Sequence, residues 1–157
     1  MTTSQLLGVH LQQLITGPNL TGSHLSQHLD DVSVNEAITS LYGLNSIAQL
    51  VFHIHYYINA VGDVLEGKPL LAKDSLSFNV PLINTEAAWQ LQKEQLYAAT
   101  HRCAQLAKDF PQEKLKEDFV VEKYGSYEHN LVGLLEHSHY HFGQMVIIKK
   151  ILRAQVK

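Results

Sequence analysis

Two histidines near the end of the chain, His137 and His141, have the spacing to share one metal ion. At about 100° of rotation per residue, positions four apart lie only about 40° from each other on a helix. Two imidazoles one turn apart can reach a single transition-metal ion, and imidazole suits zinc, nickel and iron alike. His139 lies between them in sequence but points to roughly the opposite side. The residue after His137 is Ser138, where a His-Glu-x-x-His peptidase helix carries its general-base glutamate. Glu136 is turned about 100° from the ligand side, so the pattern argues against that class of peptidase.

With His137 as the zero of the wheel, Asn130, Leu134, His141, Met145, Ile148 and Leu152 share its side. Glu136, His139, Gly143, Lys150 and Arg153 fall opposite and read as solvated. The pair therefore sits on a core-facing side, which must hold either a metal or two imidazoles satisfied by hydrogen bonds. A third ligand is available from an earlier helix, in Leu50-Val51-Phe52-His53-Ile54-His55-Tyr56-Tyr57. His53 and His55 point about 160° apart, so at most one faces the interior. Periodicity does not choose between them. One histidine from this helix and two from the last would give three nitrogens with positions left open.

The elements that must position these residues are helical. A first helix covers roughly Thr3 to Ile15 and is broken by Thr16–Ser23, which holds one proline and two glycines. A short turn through His24 to Leu29 follows. Ser33 and Glu36 then have capping-box spacing, and Gly43 and Asn45 mark a break. The second long helix runs from about Ser46 to Leu65 and stops at Gly67 and Pro69. Glu66 to Asn84 shows no clear helix and is long for a link inside one domain, which marks a crossover or functional loop. Thr85 is the N-cap for a third helix, Glu86 to Asp109, with Pro111 beyond its end. Lys114 to Lys123 is ambiguous, and Gly125–Ser126 caps a last helix, Tyr127 to Arg153. Four long helices in residues 1–157 predict a single all-α domain, a four-helix bundle. The long link lets its second and third helices run parallel.

Composition narrows the classes. The chain has 157 residues, 45% of them apolar and 17% charged, below the usual charged share of about a quarter. A net charge of −3 without a basic cluster argues against nucleic acid as a partner. The single cysteine, Cys103, excludes an internal disulfide and a cysteine-rich zinc motif. It reads as a small buried hydrophobe. The start, MTTSQLLGVHLQQLI, lacks the features of a signal peptide, and no apolar run reaches membrane-spanning length. The expectation is a cytoplasmic protein with no membrane partner.

The stretch Ile47-Ala48-Gln49-Leu50-Val51-Phe52-His53-Ile54 resembles the second-helix signature of the DinB/YfiT-like superfamily. His137-Ser138-His139-Tyr140-His141-Phe142-Gly143-Gln144 is similar to its last-helix signature, a histidine pair followed by a Gly-Gln step. The resemblance spans nearly the whole chain, including Ser77-Phe78 in the crossover and the helix start at Trp89. It implies an up-down-down-up four-helix bundle with a divalent metal near one end, held by His53, His137 and His141. It thereby selects His53 over His55. It also implies one of two chemistries, S-transfer or isomerisation with a low-molecular-weight thiol cosubstrate, or metal-dependent hydrolysis. Phe142 stands where many relatives carry a basic residue, a departure at the pocket mouth rather than in the ligand set.

Beyond these ligands, Gln144 lies one turn from His141 and could orient it, or its amide could equally only join helix ends. Tyr57, one turn beyond His53, could place a hydroxyl near the metal or simply fill the core. Gly143 reads as a close-packing position and Trp89 as core. His10, His24, His28, His101 and His129 read as surface or helix-end residues. The sequence thus predicts a metal-binding protein for a small-molecule ligand, either a thiol transferase or hydrolase, or a non-catalytic stress-response binding module. Val132, Leu135, Phe142 and Val146 extend the apolar surface of the last helix, leaving room for a homodimer.

Overall fold

Helix caps written into the sequence bound the elements of the computed structural model, which describes residues 1–155. Val156 and Lys157, the last two residues of the expected domain, lie outside the described residues. The α-helices are α1 (Thr3–Thr16), α2 (Leu25–Leu29), α3 (Val34–Ile38), α4 (Ile47–Leu65), α5 (Glu86–Asp109) and α6 (Tyr127–Ala154). Four of them are long, and no strand occurs among the described residues. Ser33 and Ser46 close capping boxes with Glu36 and Gln49, and Thr85 and Ser126 accept from the backbone N–H three residues on. Helix α4 gives way at Gly67, whose φ of +83° suits a residue without a Cβ.

The long helices pack pairwise, α1 on α5 and α6, and α4 on α5 and α6. Leu11 and Leu14 of α1, Leu50, Ile54 and Ile58 of α4, Trp89, Leu96 and Cys103 of α5, and Leu131 and Met145 of α6 fill the space between them. Each such large apolar side chain contributes about 1.5–3 kcal/mol by leaving water. Gly8 lets α1 approach α5 closely, since a Cβ there would run into the Ala104 carbonyl and the Lys108 side chain. Trp89 is core, as expected, and its indole N–H donates to the Val32 carbonyl at 2.7 Å. No described helix is long and apolar enough to cross a membrane.

The crossover between α4 and α5 contains one 3-10 turn, Asp74–Leu76, and is pinned to α4 by two tyrosines. The Tyr56 hydroxyl accepts from the Lys73 N–H at 2.7 Å and donates to its carbonyl at 3.1 Å. The Tyr57 hydroxyl donates to Asp74 Oδ1 at 2.5 Å. The ambiguous stretch before α6 resolves into 3-10 turns at Gln112–Lys116 and Glu122–Tyr124.

Two expectations for α6 need correction, those for Phe142 and Gly143. Arg153 is exposed, as expected, and its guanidinium pairs with Asp31 and Glu36, tying α6 to the α2–α3 segment. Phe142 is buried, with its ring edge against His28, rather than part of an outer apolar surface or a pocket mouth. Leu135 and Val146 are half-buried and pack against the core, whereas Val132 and Ile147 of α6 stay exposed. Gly143 is exposed, and a Cβ there would meet nothing within 4 Å, so it serves no close packing.

Candidate metal centre

Helix α4 contributes His53 and helix α6 contributes His137 and His141, and one ring nitrogen from each lies within 4.8 Å of the others. The Nε2 atoms of His53 and His137 are 3.0 Å apart. Nitrogens bound to one tetrahedral zinc, each at about 2.0–2.1 Å, are roughly 3.3 Å apart. A shift of a few tenths of an ångström therefore suffices for that pair. The ring centroids of His141 lie 4.7 Å from His53 and 4.5 Å from His137. The three residues expected as ligands are thus brought together.

Hydrogen bonds at the far side of two rings decide which nitrogen is free. His53 Nδ1 faces the Ser77 carbonyl at 3.3 Å. A carbonyl only accepts, so His53 carries its proton on Nδ1 and presents a lone pair at Nε2. His141 Nδ1 faces Gln144 Oε1 at 2.8 Å. That oxygen also accepts, which leaves His141 Nε2 as the unprotonated nitrogen. Orientation of ligand histidines by such outer partners is the usual construction of protein metal sites. Gln144 thus contacts His141 from the next turn of α6.

The surroundings also favour the neutral form of His53 and His137. Burial, then the neighbouring His141, holds the His53 pKa below its ordinary value. His137 is pushed down to about 4, chiefly by burial and then by His141 and His53. Neutral imidazole is the form that binds a metal. Phe78 stacks on the His53 ring at 4.1 Å with 11° between planes, and covers its outer face.

Tyr57 is half-buried beside the triad at the margin of the core, with its ring centroid 5.0 Å from that of His53 and 5.1 Å from that of His137. Its hydroxyl is committed to Asp74, and burial followed by that bond raises its pKa to about 12. A cavity of about 320 Å³ opens beside the triad, walled by His53, Tyr57, Tyr124, His129, Asn130 and His137. His129 is exposed, as expected, but it borders this cavity.

His55 and His139 stay outside the centre. His55 Nε2 is 2.6 Å from Asn59 Nδ2, and His139 Nδ1 bonds the Leu135 carbonyl at 2.8 Å. His24 stands at the N-cap position of α2, and its Nδ1–H donates to the Ile15 carbonyl at 2.9 Å. Cys103 is fully buried and burial drives its thiol up to about 12, which makes it inert. Sequence reasoning assigned no role to Ser77, Phe78 or Asp74. The signals for that segment were the length of the crossover and the Ser77-Phe78 step within the resemblance.

The fold and the site define an all-helical protein with a three-histidine group close enough to bind a metal ion. No family model, no curated protein and no solved structure matches the chain.

Proposed function

We propose that this chain is a DinB-like protein, an up-down-down-up four-helix bundle that binds a divalent transition metal through His53, His137 and His141. In this reading it is a metal-dependent enzyme that activates a thiol or water against a small electrophilic substrate. The observation that supports it is the converging set of nitrogens, with the His53 and His141 tautomers held by Ser77 and Gln144. A divalent ion bound there would supply Lewis acidity, which makes a thiol or water nucleophilic near neutral pH. The chain's own residues do the rest. The Ser77 carbonyl and Gln144 aim two rings, Phe78 shields His53 from water, and Tyr57 and Asn130 wall the space where a small molecule fits.

One observation favours a second reading, a binding module without turnover. The hydroxyl of Tyr57, whose ring packs against the triad, is already committed to Asp74 and stays protonated, so it is not a ready base. Metal analysis and kinetics separate these readings. Protein purified without chelator or nickel resin should carry about one equivalent of metal per chain, and His137→Ala should weaken binding at least about 100-fold. A rate above that of the free ion, with a thiol and an electrophile supplied, supports the enzyme. A metal-loaded protein with no such rate supports the module. Absence of metal binding overturns both.

A further inference from the structure

On the other side of Tyr56 from the histidine cluster, a groove of about 560 Å³ runs between α4 and the start of the crossover. That size falls in the range of small-molecule sites, about 300–1,000 Å³. Its inner wall is an aromatic ledge, Phe52 and Tyr56, one turn apart with centroids 6.4 Å from each other. Its outer wall is apolar chain, Pro69, Leu71 and Leu76, with Leu71 left 77% exposed at the rim. Because the chain itself supplies both walls, the space suits a flat molecule slotted between them better than the broad face of a partner helix.

The polar groups of the groove say what that molecule can carry. Asp63 and Lys68 pair with each other, and both are engaged further, Asp63 by Arg102 and Lys68 by Glu66. No wall therefore offers an uncommitted counter-charge to an ionic ligand. The remaining polar pair is His55 and Asn59, and its orientation follows from donors and acceptors. Arg102 can only donate, and it donates to Asn59 Oδ1 at 3.3 Å. The Asn59 amide nitrogen must then face His55 Nε2, which accepts at 2.6 Å. The His55 proton is consequently on Nδ1, and among the described residues it has no partner.

We propose that this groove binds an uncharged aromatic small molecule bearing one hydrogen-bond acceptor, slotted between the Phe52–Tyr56 ledge and Leu76 and met by the Nδ1–H of His55. The site is separate from the histidine triad and does not rest on the metal reading.

The test is a fluorescence titration of the full chain with Prodan, an uncharged naphthyl ketone, and with anilinonaphthalene sulfonate, its anionic counterpart. Prodan should saturate at about one per chain and bind at least about tenfold more tightly than the anion. Ala60→Trp fills the groove from a half-exposed helix position and should weaken Prodan at least about tenfold. His55→Phe keeps a ring and removes the donor, and should weaken Prodan by about three- to tenfold. Prodan binding that A60W leaves unchanged, or an anionic probe that binds equally well, would overturn the proposal. Unchanged affinity in H55F would overturn the assignment of the donor.

Discussion

Replacing Gln144 with leucine isolates the contribution of one outer partner to the candidate metal centre. Gln144 Oε1 is the acceptor for His141 Nδ1 at 2.8 Å, within a single helix. Leucine has comparable bulk and helix propensity, so the helix itself loses little. What disappears is the acceptor that fixes His141 with its proton on Nδ1. A neutral hydrogen bond of this kind is worth about 0.5–1.5 kcal/mol, and loss of a ligand's outer partner weakens metal binding about 10–100-fold. His141 is only half-buried, so water can partly replace the amide, and the lower end of that range applies. The expected change is about tenfold, or 1.4 kcal/mol. Competition titration of Zn(II) against a chromophoric chelator reads it directly, and urea unfolding gives an independent measure. At a free zinc concentration of 100 times the wild-type Kd, zinc should stabilise the wild type by about 2.7 kcal/mol and the variant by about 1.4 kcal/mol. In excess chelator the two proteins should unfold within about 0.5 kcal/mol of each other. The opposite pattern, equal zinc affinity with a large loss of chelated stability, would refute the reasoning and make Gln144 a structural residue. Gln144→Glu keeps an acceptor and adds negative charge, so its zinc affinity should match or exceed that of the wild type.

Two predictions concern stability away from the triad. Gly143 lies inside α6, exposed, with open space where a Cβ would stand. Gly143→Ala should raise stability by about 0.5–1 kcal/mol, read as a higher urea midpoint, with zinc affinity unchanged; a drop in stability would show that the Cβ position is not open. Acid should loosen the tie between α6 and the α2–α3 segment. Lys149 and Arg153 hold Asp31 down to about 2, and Arg153 holds Glu36 down to about 2. Both carboxyls titrate lower folded than unfolded, so their stabilisation is present above an ordinary carboxylate pKa of about 4 and is lost as pH falls toward 2. Asp31 is 58% exposed and Arg153 41%, so screening limits each pair to about 1 kcal/mol or less. Arg153→Gln should therefore flatten the stability-versus-pH curve between about pH 4.5 and 2, and a curve as steep as the wild type's would place the acid sensitivity elsewhere.

The parts legible in the sequence are those fixed by neighbours in the chain. Thr85 and Ser126 bond the N–H three residues on, so the starts of α5 and α6 can be read from a few letters. Two candidate ligands on one helix, His137 and His141, follow from the same local periodicity. The choice between His53 and His55 does not. Helix α4 packs on α5 and on α6 and carries the crossover against its remaining surface, so apolar residues occur nearly all round it. A wheel without a polar side cannot be oriented. Gly143 was misread for a related reason, since a glycine in a helix signals close approach only when another element is there to approach.

The least legible part is the shell that aims the ligands, and its physical basis is non-local. His53 is oriented by a main-chain carbonyl, Ser77, a group every residue possesses and no pattern marks. That carbonyl is in place only because the turn before it is held, with Tyr56 bonded to both main-chain groups of Lys73 and Tyr57 bonded to Asp74. The Ser77 hydroxyl closes the turn by donating to the Asp74 carbonyl at 2.8 Å. The aromatic residues that follow His53 on α4 therefore serve the site indirectly, by docking the segment that fixes its tautomer. This accounts for a crossover long enough to look like a loop and yet pinned at three successive points. The candidate ligand pattern lies in three histidines, but the direction of one of them is written in Lys73–Ser77, about twenty residues further along the chain.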